Sequence, residues 1–293
     1  MKFKALTLQE IERVRPYFDK VESNTCDYSV GGMFMWRDYF KMEFVIEDGA
    51  FFSRLHTEAL EPYYNLPLSE DIPASLRKLT ESERRPGESI KFCTIPEHYL
   101  PLFSECCQLL SVTEQPEFFD YLYAAEDLTG LKGRRYSGQR NQMSQFRRSV
   151  GDWDFVPVDG TNIQRVTDFF LRLHEETAPE GSYEKEENTK VLEVLQNMEL
   201  YDMRGGYLTA DGRPAGFCLG ETIHDTLYMH IEKADRQYKG AYQMLVNQGA
   251  LLLTDEKVRY INREEAMGDP GLKTAKEAYH PIALLKKYVV EVK

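Results

Sequence analysis

Gly206-Tyr207-Leu208-Thr209, the turn Asp211-Gly212-Arg213-Pro214, Ala215-Gly216-Phe217-Cys218-Leu219-Gly220, the turn His224-Asp225 and Thr226-Leu227-Tyr228-Met229-His230-Ile231-Glu232 follow one another along the chain. Apolar and aromatic runs bounded by such turns predict a three-stranded antiparallel meander. Upstream, Asp154-Phe155-Val156-Pro157-Val158 reads as a strand. Thr161 to Leu173 reads as a helix, with Ile163, Val166, Phe169 and Phe170 at helical spacing, and a second helix covers about 185 to 197. Downstream, Gly240 to Leu253 is a helix, Val258-Arg259-Tyr260-Ile261-Asn262 a strand, Gly271 to Tyr279 a helix, and Ala283 to Val292 is strand-like.

Strand, two helices, three strands, helix, strand, helix, strand is the element order of the acyl-CoA N-acyltransferase (GNAT) fold. The first half has the same mixed character. Thr7 and Glu10 can form a capping box for a helix through Val14, and Glu47-Asp48-Gly49 turns a hairpin between Phe44-Val45-Ile46 and Ala50 to Leu55. A helix at about 70 to 80, a strand at Ile90 to Ile95, a helix from Pro96 to Leu110 and a strand at Tyr121-Leu122-Tyr123 follow. The expected class is α+β: two tandem GNAT-like domains with mixed, mostly antiparallel sheets flanked by helices. Residues 1–128 would form the first domain, 129–150 a basic connecting helix, and 151–293 the second, which carries the site.

The length of 293 residues suits two domains, and 42% hydrophobic with 12% aromatic residues excludes global disorder. No run approaches the roughly 20 apolar residues of a spanning helix, so a soluble, cytoplasmic protein is expected. Cys26, Cys93, Cys106, Cys107 and Cys218 are scattered, without zinc-site or disulfide spacing, and no metal is expected. A net charge of -12 repels polyanions, so a phosphorylated partner must meet a local basic patch. Lys132, Arg134, Arg135, Arg140, Arg147 and Arg148 supply one. The segment is either a solvated connecting helix or a phosphate-binding surface, since Arg forks pair with phosphate oxygens at two points.

Three segments carry a family resemblance: Tyr121-Leu122-Tyr123 through Gln139-Arg140-Asn141-Gln142-Met143-Ser144-Gln145-Phe146; His230-Ile231-Glu232-Lys233-Ala234-Asp235 with Tyr238-Lys239-Gly240-Ala241-Tyr242-Gln243; and Tyr260-Ile261-Asn262-Arg263-Glu264-Glu265 with Gly271-Leu272-Lys273-Thr274-Ala275-Lys276-Glu277-Ala278-Tyr279-His280-Pro281. Together they resemble a bacterial family related to the soluble C-terminal domain of phosphatidylglycerol lysyltransferase, which moves lysine from lysyl-tRNA to a lipid headgroup. More distantly the chain is similar to the Fem-type aminoacyltransferases of peptidoglycan synthesis. The resemblance spans essentially the whole chain and implies two GNAT-like domains and a transferase. Ala266 stands where relatives often carry an acid, and a lipid acceptor is less expected without a preceding membrane portion.

In a GNAT fold the helix after the central strand offers its N-terminal amides to the donor's pyrophosphate. Gln237-Tyr238-Lys239-Gly240-Ala241-Tyr242 holds that place but matches the Gly-rich pattern only in part, with Tyr242 where a small residue belongs. Lys239 and Gly240, with Arg140 and Arg147, are the candidate donor-phosphate residues, for acyl-CoA or aminoacyl-tRNA, unless the helix is simply a capped surface helix. Glu232 and His230, two apart on one strand, should share a face with Glu221 nearby, giving a candidate base. The plainer reading pairs Glu232 with Lys233 or Arg236 and leaves His230 a satisfied core residue. Asn262, Arg263 and Glu264 follow a strand end, where ligands collect in open sheets, and are candidate substrate-binding residues unless they form a turn and a salt bridge. Lys273 and Lys276 share a helix face, and His280 follows at its end; all three join that set. Tyr279 is the candidate general acid, or else a hydrogen-bonded core tyrosine. The expected function is transfer of an acyl or aminoacyl group to an amine or hydroxyl; the rival is a non-catalytic GNAT-like module binding a small molecule or protein.

Overall fold

The computed structural model describes residues 1–57, 61–173 and 183–293. In chain order the first half gives β1 (Lys4–Ala5), α1 (Ile11–Phe18), α2 (Val30–Trp36), β2 (Glu43–Glu47), β3 (Ala50–Leu55), β4 (Tyr63–Tyr64), α3 (Ile72–Glu83), β5 (Ile90–Pro96), α4 (Leu100–Cys106) and β6 (Leu109–Glu114). Ile11, Val14 and Phe18 recur every three or four residues, and α1 buries that stripe. Thr7 makes no capping bond; a 3-10 turn at Leu8–Glu10 leads into α1, and Glu10 pairs with Lys4 and Arg13 instead. The helix expected from Pro96 to Leu110 stops at Cys106, because Leu109–Glu114 is drawn into a sheet ladder.

The chain continues through β7 (Asp120–Ala124), α5 (Ala125–Gly130), α6 (Ser137–Ser149), β8 (Trp153–Pro157), α7 (Ile163–Leu173), α8 (Tyr183–Gln196), α9 (Met198–Tyr201), β9 (Arg204–Ala210), β10 (Arg213–Ile223), β11 (Thr226–Ala234), α10 (Ala241–Leu253), β12 (Tyr260–Asn262), α11 (Pro270–Glu277), β13 (Ala283–Leu285) and β14 (Lys287–Val292). Among the described residues these strands form two mixed seven-stranded sheets flanked by helices, ordered β1-β2-β3-β4-β5-β14-β6 and β13-β7-β12-β11-β10-β9-β8. The architecture is α+β.

Two compact units divide the chain: Met1–Asp120 with Glu265–Lys273 and Leu284–Lys293, and Tyr121–Glu264 with Thr274–Ala283. The basic segment expected as a connection lies inside the second unit, where α6 packs Met143 and Phe146 inward. The strand-like tail expected in the second domain splits. β14 enters the first sheet between β5 and β6, antiparallel to both, while β13 borders β7 in the second.

In the second unit the predicted meander is β9-β10-β11. Phe169 and Phe170 of α7 meet the Phe217 ring edge-on at 6.3 and 5.9 Å. α10 covers the opposite face, where Gly249 lets the helix come so close that a Cβ would stand 2.6 Å from Cys218 Sγ. Each such aromatic, fully buried, contributes about 1.5–3 kcal/mol.

Two departures from regular pairing position the site. Leu219 faces Ile231, but Gly220 faces Met229, so His230 is an extra residue in a β-bulge. The parallel ladder of β11 with β12 ends at Tyr228 opposite Asn262, although β11 runs on to Ala234. Past that point the two strands are joined by side chains rather than by ladder bonds.

Candidate functional site

The bulge changes the expected geometry. Glu232 stays opposite Cys218, on the α10 face, whereas the inserted His230 turns toward Glu221 and Tyr228, its ring stacked 6.2 Å from Tyr228 at 9°. Glu232 and His230 therefore belong to separate clusters, and so do the consecutive residues Arg263 and Glu264.

His230, whose side chain is fully buried, donates Nδ1–H to Glu264 Oε1 (2.7 Å) and Nε2–H to Glu221 Oε1 (2.9 Å). Burial works against the imidazolium, but the two glutamates outweigh it and raise the pKa to about 10. Both ring nitrogens are thus donors at neutral pH. Glu264 sits at a left-handed turn (φ 56°), its amide donating to Asn262 Oδ1 at 2.6 Å. The His230–Glu264 pair ties β11 to the residues after β12.

Arg263 forms the second tie. Its Nε and Nη2 donate to Glu232 Oε2 at 3.0 and 2.7 Å. The guanidinium lies 5.0 Å from the Tyr279 ring centroid and 5.8 Å from that of Tyr123. Lys276, also buried, donates to the Arg263 carbonyl, and Tyr123 OH donates to the Lys276 carbonyl at 2.9 Å. Burial, partly offset by Arg263, pushes Tyr279 up to about 12, so its hydroxyl keeps its proton. Three buried polar atoms of this cluster have no partner among the described residues: Arg263 Nη1, Glu232 Oε1 and Tyr279 OH. Buried polar atoms are almost always satisfied, so a donor, an acceptor and a hydroxyl left open together mark a place for a polar ligand or water.

The remaining candidates fall elsewhere. Lys273 is exposed and belongs to the first unit, whereas Lys276, three residues on along α11, is buried and belongs to the second. His280 is exposed, its Nε2 3.2 Å from the Arg135 carbonyl. Arg140 donates to the carbonyls of Leu131 and Gly133, closing the C-terminal end of α5. Arg147 lies over the Trp153 ring at 5.0 Å. Lys239 is exposed at the start of α10. Gly240 does need to be glycine, but for packing: its φ is 87° and a Cβ would meet the Gln142 carbonyl at 2.1 Å. Gly240→Ala is expected to cost about 2 kcal/mol through left-handed strain and this clash, measurable by urea denaturation.

Sequence reasoning did not find a cluster in the first unit. Lys287 Nζ lies 2.5 Å from Asp27, 2.7 Å from Asp120 and 4.0 Å from Glu265, and Cys26 Sγ is 3.5 Å away. Cys26, Asp120 and Glu265 offer ligand atoms within 4.8 Å of one another, a spacing that would suit a metal ion. The Lys287 ammonium already serves as their cation. No spacing could have shown this, since the five residues come from four distant segments; Glu265 was visible only as a neighbour of Glu264.

The family model for the C-terminal region of phosphatidylglycerol lysyltransferase matches residues 18–291. A solved protein of unknown function from Bacteroides thetaiotaomicron is 28% identical, with both chains covered in full and a TM-score of 0.88. The C-terminal domain of a protein named as a lysylphosphatidylglycerol synthetase from Agrobacterium fabrum is 14% identical, with 97% of this chain and 91% of that one covered and a TM-score of 0.67. L-PGS from Bacillus licheniformis is 12% identical, with 95% and 90% covered and a TM-score of 0.65. The last two show the fold. An uncharacterised protein of Mycoplasmoides gallisepticum is 21% identical over 176 residues, 59% of this chain and 56% of that protein, so the match spans little more than half of that relative.

Proposed function

The chain belongs to the phosphatidylglycerol lysyltransferase C-terminal family, a family of transferases, and from that membership we propose that it moves an aminoacyl group from aminoacyl-tRNA to an amine or hydroxyl acceptor. The observation that supports this reading is the cluster in which the buried atoms Arg263 Nη1, Glu232 Oε1 and Tyr279 OH have no partner among the described residues. An acyl-CoA donor is the less favoured variant. A pantetheine-like arm entering between β11 and β12 would have to displace both the Glu232–Arg263 and His230–Glu264 pairs, and Gln142 occupies the space beside Gly240.

In the proposed reaction the acceptor's amine or hydroxyl attacks the ester carbonyl carbon and loses its proton to Glu232. Arg263 Nη1 donates to the carbonyl oxygen as it becomes an oxyanion, and Tyr279 protonates the departing ribose oxygen when the ester bond breaks. Lys276 and Asn262 hold the turn that carries Arg263 and Glu264. The His230 imidazolium positions Glu264 rather than acting as a base. Arg147 and Arg148 on α6, with Lys239 exposed next to Tyr238, whose ring lies 6.3 Å from that of Phe146, would face the phosphates of the donor, while Arg140 is held by the Leu131 and Gly133 carbonyls. No described helix is long and apolar enough to cross a membrane, and both lipid and soluble acceptors enter the test.

The test is transfer of labelled amino acid from aminoacyl-tRNA to phosphatidylglycerol vesicles or to soluble amines, with acyl-CoA as the alternative donor. Tyr279→Phe, which keeps the ring against Arg263, is expected to lower kcat about a hundredfold at unchanged melting temperature. Absence of transfer from either donor to every acceptor, with no thermal shift from any donor, would instead support the non-catalytic binding module, to which the bridged gap between β11 and β12 lends weight.

A further inference from the structure

A groove of about 830 Å³ opens in the second unit between α7 and the adjoining ends of β10 and β11. On α7, Arg165, Phe169 and Arg172 recur at four and three residues, so they line one side of the groove together. Arg213 at the start of β10 and Gln237 with Tyr238, from the turn before α10, line the other. Phe169 packs on Phe217, so this groove lies on the sheet face away from Glu232 and Arg263.

Its charges are not spent on one another. Arg165 donates to the Gly212 carbonyl and lies 5.9 Å from the Tyr207 ring. Arg172 and Arg213 form no ion pair with any described residue. Of the two acids on the rim, Asp168 accepts from Gln164 at 2.8 Å and Asp235 accepts from the Gln237 amide at 2.9 Å. Three guanidinium groups from two elements, none in an ion pair with another described residue, face two carboxylates, so the groove keeps a net positive charge in a chain of net charge -12. Arg forks match phosphate oxygens, an accessible Tyr offers a face for stacking, and the volume suits a nucleotide. The turn that the sequence marked for phosphate thus presents Gln237 and Tyr238 to a basic groove, while Gly240 is closed off by Gln142.

We propose that this groove binds a nucleoside polyphosphate, with its phosphates on Arg165, Arg172 and Arg213 and its base against Tyr238. The site is separate from the Arg263 cluster and stands whether or not that cluster transfers aminoacyl groups. The test is calorimetric titration of the full chain with ATP, inorganic tripolyphosphate and adenosine. ATP and tripolyphosphate should bind, adenosine at least about tenfold more weakly. The triple variant Arg165→Gln, Arg172→Gln, Arg213→Gln should lose at least about tenfold in ATP affinity at an unchanged melting temperature, these side chains being exposed. Tyr238→Ala should weaken ATP but not tripolyphosphate. Absence of saturable ATP binding, a triple variant with undiminished affinity, or adenosine binding as tightly as ATP would overturn the proposal.

Discussion

Lys287→Met is expected to lower folding stability by about 3–5 kcal/mol, the range for removing one member of a buried charge cluster. Lys287 is 1% exposed, and its ammonium lies within hydrogen-bond reach of Asp27 and Asp120. Methionine fills much the same space, so the loss would come from carboxylates left without a cation rather than from a cavity. Burial alone would lower the lysine pKa, yet Asp120 and Asp27 hold it well above the ordinary value. A lysine raised in this way stabilises the fold fully below its unfolded pKa and loses that contribution only as pH rises through the folded value, so the wild type gains no signature near neutrality from it. In the variant the remaining carboxylates hold protons more tightly folded than unfolded, and stability should rise as pH falls from about 7 to about 5. Urea denaturation at several pH values measures both effects. A loss under about 1 kcal/mol with no pH trend would show that the cluster is hydrated and exerts little hold.

His230→Asn is expected to be comparably damaging at neutral pH, because it leaves Glu221 and Glu264 facing each other without the imidazolium between them. The sign of the pH dependence separates charge from packing. His230 is raised from 6.5 to about 10, so its contribution is complete below about pH 6.5 and fades as pH climbs toward 10. The stability gap between wild type and variant should therefore narrow steadily over that interval. A gap that stays constant would mean that the ring acts by shape alone.

Much of the second unit was legible because its signals are local. Phe217 and Cys218 alternate across a strand, Asp211-Gly212 turns it, and Val166 with Phe169 and Phe170 marks a helix face. Asn262, Arg263, Glu264 and Tyr279 stood out as polar groups beside a strand end, and the structure gathers Arg263 and Tyr279 with Glu232. The bulge at His230 was not legible. One extra residue changes every face assignment after it, yet it is fixed by how Gly220 and Met229 meet across strands. Arg140 and Lys276 look like surface cations in the sequence, and only tertiary contacts show that both bind backbone carbonyls. The destination of β14 was hidden for a related reason: Val289, Val290 and Val292 declare a strand but not its neighbours.

That destination bears on how the molecule is made. Ribosomes deliver β5 and β6 early, but the slot between them stays vacant until β14 emerges about 170 residues later, on the order of ten to thirty seconds at ordinary translation speed. Through that wait the nascent chain carries two open strand borders, the kind of surface that chaperones cover and neighbouring polypeptides invade. The half synthesised first thus waits for a strand made much later, and deleting Lys287–Val292 would leave its sheet unfinished.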